Sequence, residues 1–373
     1  MAGFGRKFSR RWFLLSGVAA TKLGAQQKKS VSFAPEVKRY ADPTTELDVY
    51  RLTNPGHSSI LPAYYNRAIA HNSGSLLFCC DRNGAPQAHR MDLKTGETRE
   101  LTDAEELDGS SITLTPDNRS VCYFAGRQLF LSTMAGHSKA LYQVPEGWDR
   151  CPGLSVGPDG THATFAEQQA GGSRLRMVTL VQGIARTVVE VPFAMSHPLA
   201  RPMRAQILFR QADDALWLVN SDGAQKRQLK LAAGRVGPAS WAADGKSLLY
   251  LNFPEDSMRI TTIRECIPDI NGESLVAKTS QYAHFGFNQP AVVFVGACRS
   301  DASPTILIML RSTRRELTLC EHKASHPEMT APRFAPDTQR VYFQSDRDGQ
   351  PAIYCVHVEK FLEKTEPETG SPG

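Results

Sequence analysis

Ala331-Pro332-Arg333-Phe334-Ala335-Pro336-Asp337 is followed by an apolar run at Arg340–Gln344, by Ser345-Asp346-Arg347-Asp348-Gly349, and by a second apolar run at Ala352–Val358. A Pro-Asp turn, a strand, an Asp-Arg-x-Gly turn and another strand make one compact unit. Weaker copies of its opening stand at Leu114-Thr115-Pro116-Asp117, Val156-Gly157-Pro158-Asp159-Gly160 and Trp241-Ala242-Ala243-Asp244-Gly245. Short strands that recur with turn signals at intervals of roughly 40 residues mark a β-propeller. A β-sandwich also shows strands and turns at regular spacing, but it does not require the same pair of turns in each period.

Seven inner strands are predicted: Leu76–Cys80, Val121–Phe124, Ala163–Phe165, Gln206–Phe209, Ser247–Leu251, Val292–Val295 and Arg340–Phe343. Each is followed by a run of period-two character, such as Gln87–Leu93 or Ala352–Val358. The chain therefore reads as all-β, a single seven-bladed propeller over residues 26–360. The last blade lacks an outer strand, and Leu47–Thr53 lacks a partner where it stands. Pairing of the two closes the ring and removes a sheet edge open to aggregation.

Residues 1–25 read as a leader. Ser9-Arg10-Arg11-Trp12-Phe13-Leu14-Leu15 resembles a twin-arginine export signal, and the apolar stretch after it is too short to anchor stably in a membrane. A chance basic and apolar N-terminus is the plainer alternative. Periplasmic or secreted localisation follows from the export reading. Residues 361–373 read as a disordered polar tail. The chain has 373 residues and a net charge of +5 without a basic run, which argues against nucleic acid. Cys79, Cys80, Cys122, Cys298 and Cys355 fall inside apolar strand patterns, so buried thiols are favoured over disulfides. A monomer is expected.

Five segments carry more than the generic repeat. They are Leu61-Pro62-Ala63-Tyr64-Tyr65-Asn66, Leu141–Trp148, Ser196-His197-Pro198-Leu199-Ala200-Arg201-Pro202, Leu216-Trp217-Leu218-Val219-Asn220-Ser221-Asp222-Gly223 and the closing Ser345–Tyr354 unit. In this order and spacing they resemble the oligogalacturonate lyases of the seven-bladed propeller type. The closing unit is shared with TolB-like propellers. The resemblance implies cleavage of short pectin fragments, acidic oligosaccharides, by β-elimination. It also implies a divalent metal, typically manganese, held in the channel by three histidines and a glutamine.

On the same resemblance, His197 matches the catalytic histidine region and Arg174 the arginine on the preceding blade, with Arg176 as the alternative. The family's metal-binding stretches appear here as Gly237-Pro238-Ala239-Ser240-Trp241 and Met329-Thr330-Ala331-Pro332. Proline and alanine side chains offer no donor, so Gln281, His284 and His326 are the remaining candidate ligands. Arg201 is a candidate carboxylate clamp beside Arg204 and Arg210, Tyr65 and Tyr64 are candidate platforms for a sugar, and His284 is a candidate channel residue. Plainer roles stand beside these: a strand-capping histidine, solvated arginines, and aromatics packed between blades. A non-catalytic exported propeller that binds a carbohydrate or a protein partner is the alternative function.

Overall fold

The computed structural model describes residues 31–211, 215–256 and 259–362. The expected leader, the first residues of the expected propeller and most of the expected tail lie outside them. Seven antiparallel sheets follow one another along the chain, and five of them have four strands. The seventh blade holds Arg333–Phe334, Arg340–Ser345 and Ala352–His357, and it is completed by Asp48–Arg51 and then Lys38–Ala41. Val49 faces Val356, and Arg51 faces Tyr354. The expected closure of the ring is present. A fifth strand at Ser32–Phe33 also caps the outer edge of the first blade against Thr98–Glu100.

One expectation is corrected. The runs predicted as inner strands are the second strands of their blades. The inner strands precede them: Asp149–Val156, Ser196–Ala200, Arg235–Trp241 and Tyr282–Phe287 in blades three to six, with only short pieces in the others. The second strand of a blade is buried on both faces and so reads as a continuous apolar run, as in Leu248–Leu251. The inner strand has its free edge on the channel and carries polar residues and prolines.

The turns that join each inner strand to the second, Pro-Asp at Pro116-Asp117, Pro158-Asp159 and Pro336-Asp337, share one backbone feature. Each of the seven blades has one residue at positive φ there: Ser73, Asn118, Gly160, Met203, Gly245, Ala291 and Thr338. Only two are glycine, so the repeat is a repeat of backbone shape. The aspartate caps the turn through its side chain: Asp117, Asp159, Asp244 and Asp337 each accept an N–H from two residues on.

The core is seven apolar clusters, one between each pair of neighbouring blades. All eight cysteines are buried, free and placed on strands. Phe361 and Leu362, at the expected start of the tail, pack against the last interface from the short helix Glu359–Leu362.

Candidate functional site

Partway along the channel the inner strands break register. The slips lie between Arg150 and Leu154, Ser196 and Leu199, Val236 and Ala239, and Tyr282 and His284. A bulge adds chain on one strand, bends it and re-aims a side chain, and an edge strand tolerates both a bulge and a proline. His197 and Pro198 occupy one bulge, and Gly237 and Pro238 another. His197 has φ of 50°, and Ala331 in blade seven has φ of 43°.

Gly153 makes room for this geometry. It has φ of +103°, and a Cβ there would lie 2.6 Å from the Cα of His197.

The first blade breaks most. Ile60 faces Cys79 and Ile69 faces Leu76. Nine residues advance on the inner side against three on its neighbour, so six are looped out. They carry Tyr64 and Tyr65 across the channel. The Tyr64 hydroxyl accepts from the Ala239 N–H at 2.9 Å and donates to the Ala239 carbonyl at 3.2 Å, on blade five. Arg333 of blade seven holds the base of the loop by donating to the Pro62 carbonyl at 2.8 Å.

Four rings then run in sequence through the channel. His197 and Tyr65 have centroids 5.9 Å apart, Tyr65 and Tyr64 4.9 Å, and Tyr64 and His284 5.0 Å. Arg210 braces the proline bulge of blade five, donating to the carbonyls of Val236 at 2.6 Å and Gly237 at 2.7 Å. Arg150 pairs with Asp108 at 2.7 Å. Ser196 Oγ lies 2.8 Å from His197 Nδ1 and orients the ring.

The electrostatics follow from burial. His284 is 5% exposed, and its Nδ1 has no hydrogen-bond partner. Burial, and secondarily the Arg333 charge, pull its pKa down to about 3, so the ring is neutral at ordinary pH. Burial lowers Arg333 to about 10, which leaves it charged. The Tyr65 hydroxyl is pushed up by burial and does not ionise. The channel centre is therefore cationic, with neutral imidazole and phenol groups beside the charge.

His197, Tyr65, Tyr64 and His284 are brought together, and Arg210 braces the adjoining bulge. Arg174 stands apart from them. It lies on the third strand of blade three, at the same end of the ring as His197, with Nε donating to Glu167 at 2.6 Å and its guanidinium 3.7 Å from the Trp148 ring. Glu167 is fully buried and also accepts from Tyr142 at 2.7 Å. Arg176 reaches the same carboxylate at 3.7 Å.

Arg201 lies toward the opposite mouth, 1% exposed. Its donors go to Asp269, Gly245 and Gln206, so four of the five N–H groups of a guanidinium are committed. Gln281 is exposed and accepts from Thr261, and His326 is exposed beside Glu328. These two do not converge with His284. Arg333, Arg150 and Asp108 are channel groups that sequence reasoning missed. Arg333 sits inside the closing repeat, where it reads as part of the fold signature.

No family model matches the chain. An oligogalacturonide lyase of Pectobacterium atrosepticum is 23% identical over 86% of this chain and 95% of its own length. An oligogalacturonate lyase of Dickeya dadantii is 23% identical over 88% and 97%. An oligogalacturonate lyase in complex with manganese superposes with a TM-score of 0.83, at 22% identity over 88% of this chain and 98% of that one. The chain shares the seven-bladed fold of that lyase and is similar to these lyases over nearly their whole length. A further member of this fold, an oligogalacturonate lyase from Vibrio parahaemolyticus, has a TM-score of 0.82 at 21% identity.

The manganese of that structural neighbour has no fitting donor set here. Among the described residues no three His, Cys, Asp or Glu side chains group together. Pro238 in the blade-five bulge and Ala331 just ahead of Arg333–Phe334 carry no donor atom in their side chains, and Met329 is 60% exposed. His284, with its unpaired Nδ1, is a single donor. Among the described residues the channel centre therefore presents arginine and imidazole rather than a cluster of metal-ligating side chains.

Proposed function

We propose that this protein is an oligogalacturonate lyase-like enzyme acting on acidic oligosaccharides by β-elimination, with His197 as base and Arg174 on the substrate carboxylate. The observation that carries this reading is the placement of His197 on a bulge facing a channel whose centre is cationic. The named relatives, similar over nearly their whole length, support the substrate class.

In the elimination, His197 takes the proton on the carbon α to the uronate carboxylate. The C–H electron pair becomes a C=C bond, the glycosidic C–O bond at the β carbon breaks, and the leaving oxygen takes up a proton. Charge that builds on the carboxylate in the transition state needs a fixed cation. Glu167 holds Arg174 by Nε, which leaves its terminal nitrogens to face a carboxylate as a fork. No step is routed through a metal, because the residues present do not fit one.

A second reading is a propeller that binds an acidic oligosaccharide without turnover. The lack of a metal-ligating group among the described residues, with donor-free Pro238 and Ala331 beside the channel, favours it. Incubating the protein with trigalacturonate, with and without Mn²⁺, and reading the ultraviolet absorbance of the unsaturated product decides between them. Signal lost in His197→Ala supports the lyase. No signal from a folded protein that still binds trigalacturonate supports the binding propeller. We also infer export by the twin-arginine route to the periplasm and a monomeric state. The Arg10-Arg11 leader supports the first, and chromatography of the exported protein tests the second.

A further inference from the structure

Below the tyrosine pair, the channel widens into a cavity of about 360 Å³ that opens at the mouth formed by the Pro-Asp turns. That volume suits a hexose-sized ligand with its water. All seven blades contribute wall, and no aspartate or glutamate lines it among the described residues. Arg67 and Arg333 both do.

Arg67 is built into place. Its N–H donates to Thr113 Oγ1 at 3.2 Å, and its carbonyl accepts from Leu114 at 2.9 Å. Its Nη1 lies 2.6 Å from His71 Nε2. Burial lowers the His71 pKa, with the Arg67 charge adding to it, so the ring accepts this bond as a neutral group. Arg333 spends its donors on backbone carbonyls only. Burial lowers the pKa of both arginines, and neither has an acidic partner among the described residues. Two partly desolvated guanidinium groups without a counter-charge are costly to hold, and an anion offsets that cost. Edges of Trp241 and Phe285 make part of the wall apolar, which suits an organic anion better than a bare inorganic ion.

We propose that this lower chamber binds a small carboxylate, up to the size of one hexuronic acid, on Arg67 and Arg333, as a site separate from the His197 end of the channel. It does not rest on the lyase reading. Titration calorimetry with galacturonate, galactose and phosphate tests it on wild type, Arg67→Gln and His197→Ala, each checked for folding by circular dichroism. The expected result is saturable binding of galacturonate, no binding of galactose, and weaker binding of phosphate. Arg67→Gln weakens galacturonate by about tenfold or more, the worth of one charged hydrogen-bonded contact, and His197→Ala leaves it within about twofold. If Arg67→Gln does not fold, Arg67→Lys, which keeps the charge and loses the fork, weakens binding by about threefold or more. The proposal fails if wild type shows no saturable binding, if the Arg67 variant binds as wild type does, or if galactose or phosphate binds as tightly as galacturonate. It also fails if His197→Ala weakens galacturonate as much as Arg67→Gln does, which would place the ligand at the upper end.

Discussion

The last blade and the first blade are neighbours built from the same repeat, yet they use their inner strands for opposite ends. In the last blade the chain keeps register, and the N-terminal strand Asp48–Arg51 pairs with Ala352–His357 to seal the ring. In the first, six residues leave the inner strand, cross the channel and hydrogen-bond to the blade opposite. The sealed blade supplies stability through buried apolar residues. The broken blade supplies a partition between the His197 end of the channel and the cavity below the tyrosines. In this ring, irregularity of the innermost strand is where the channel side chains are re-aimed, because its free edge lets the chain bulge without disturbing a neighbour.

Four substitutions or titrations separate these roles. Val49→Asp puts a charge into the fully buried seam, where no cation stands ready. It should cost about 4 kcal/mol or more and collapse the ring cooperatively, read by urea unfolding. Gly153→Ala leaves the seam intact but drives a methyl group into the His197 backbone at a positive φ. A loss of about 2–3 kcal/mol is expected, with a larger fall in turnover than any seam variant of equal stability. Unchanged melting and turnover would show that the bulge is pliable.

Tyr64→Phe removes both bonds across the channel and leaves the Ala239 N–H and carbonyl unpaired. A cost of about 1–2 kcal/mol is expected, with the fold retained.

At neutral pH the smallest effect is that of His284, which shows only as a slope in acid. His284 has its pKa lowered to about 3 in the folded protein, against about 6.5 in an unfolded chain. Between those values the unfolded state takes up a proton that the folded state refuses. Its contribution is complete above pH ~6.5 and is lost as pH falls towards 3, at about 1.4 kcal/mol per pH unit. His284→Phe should flatten that part of the acid limb. An unchanged limb would mean that the imidazole is not held neutral.

The second strands and the Pro-Asp turns were legible because burial on both faces and a positive-φ turn constrain residue type directly. Leu248–Leu251 carries only buried, largely apolar side chains, and Asp244 caps the turn before it. His197 and Tyr65 stand out through their motifs, and the channel brings their rings within 5.9 Å. Arg201 was read as a clamp because it stands near His197 in the chain. An inner strand carries residues four positions apart to different depths, and Arg201 ends in an ion pair with Asp269. Arg333 was overlooked because a strongly repeated segment hides the one residue in it that the repeat does not require.

By itself, the sequence determined the repeat, the number of blades and the closing strand, since each depends on local turn chemistry and on the burial period of a strand. Only the tertiary structure decided which strand faces the channel, that Tyr64 reaches Ala239, and that Arg67 and Arg333 share a cavity without a carboxylate. Those facts depend on register slips of one to six residues and on contacts between positions as far apart as Tyr64 and Ala239. A slip alters where a side chain points without altering the composition around it, so no local pattern records it.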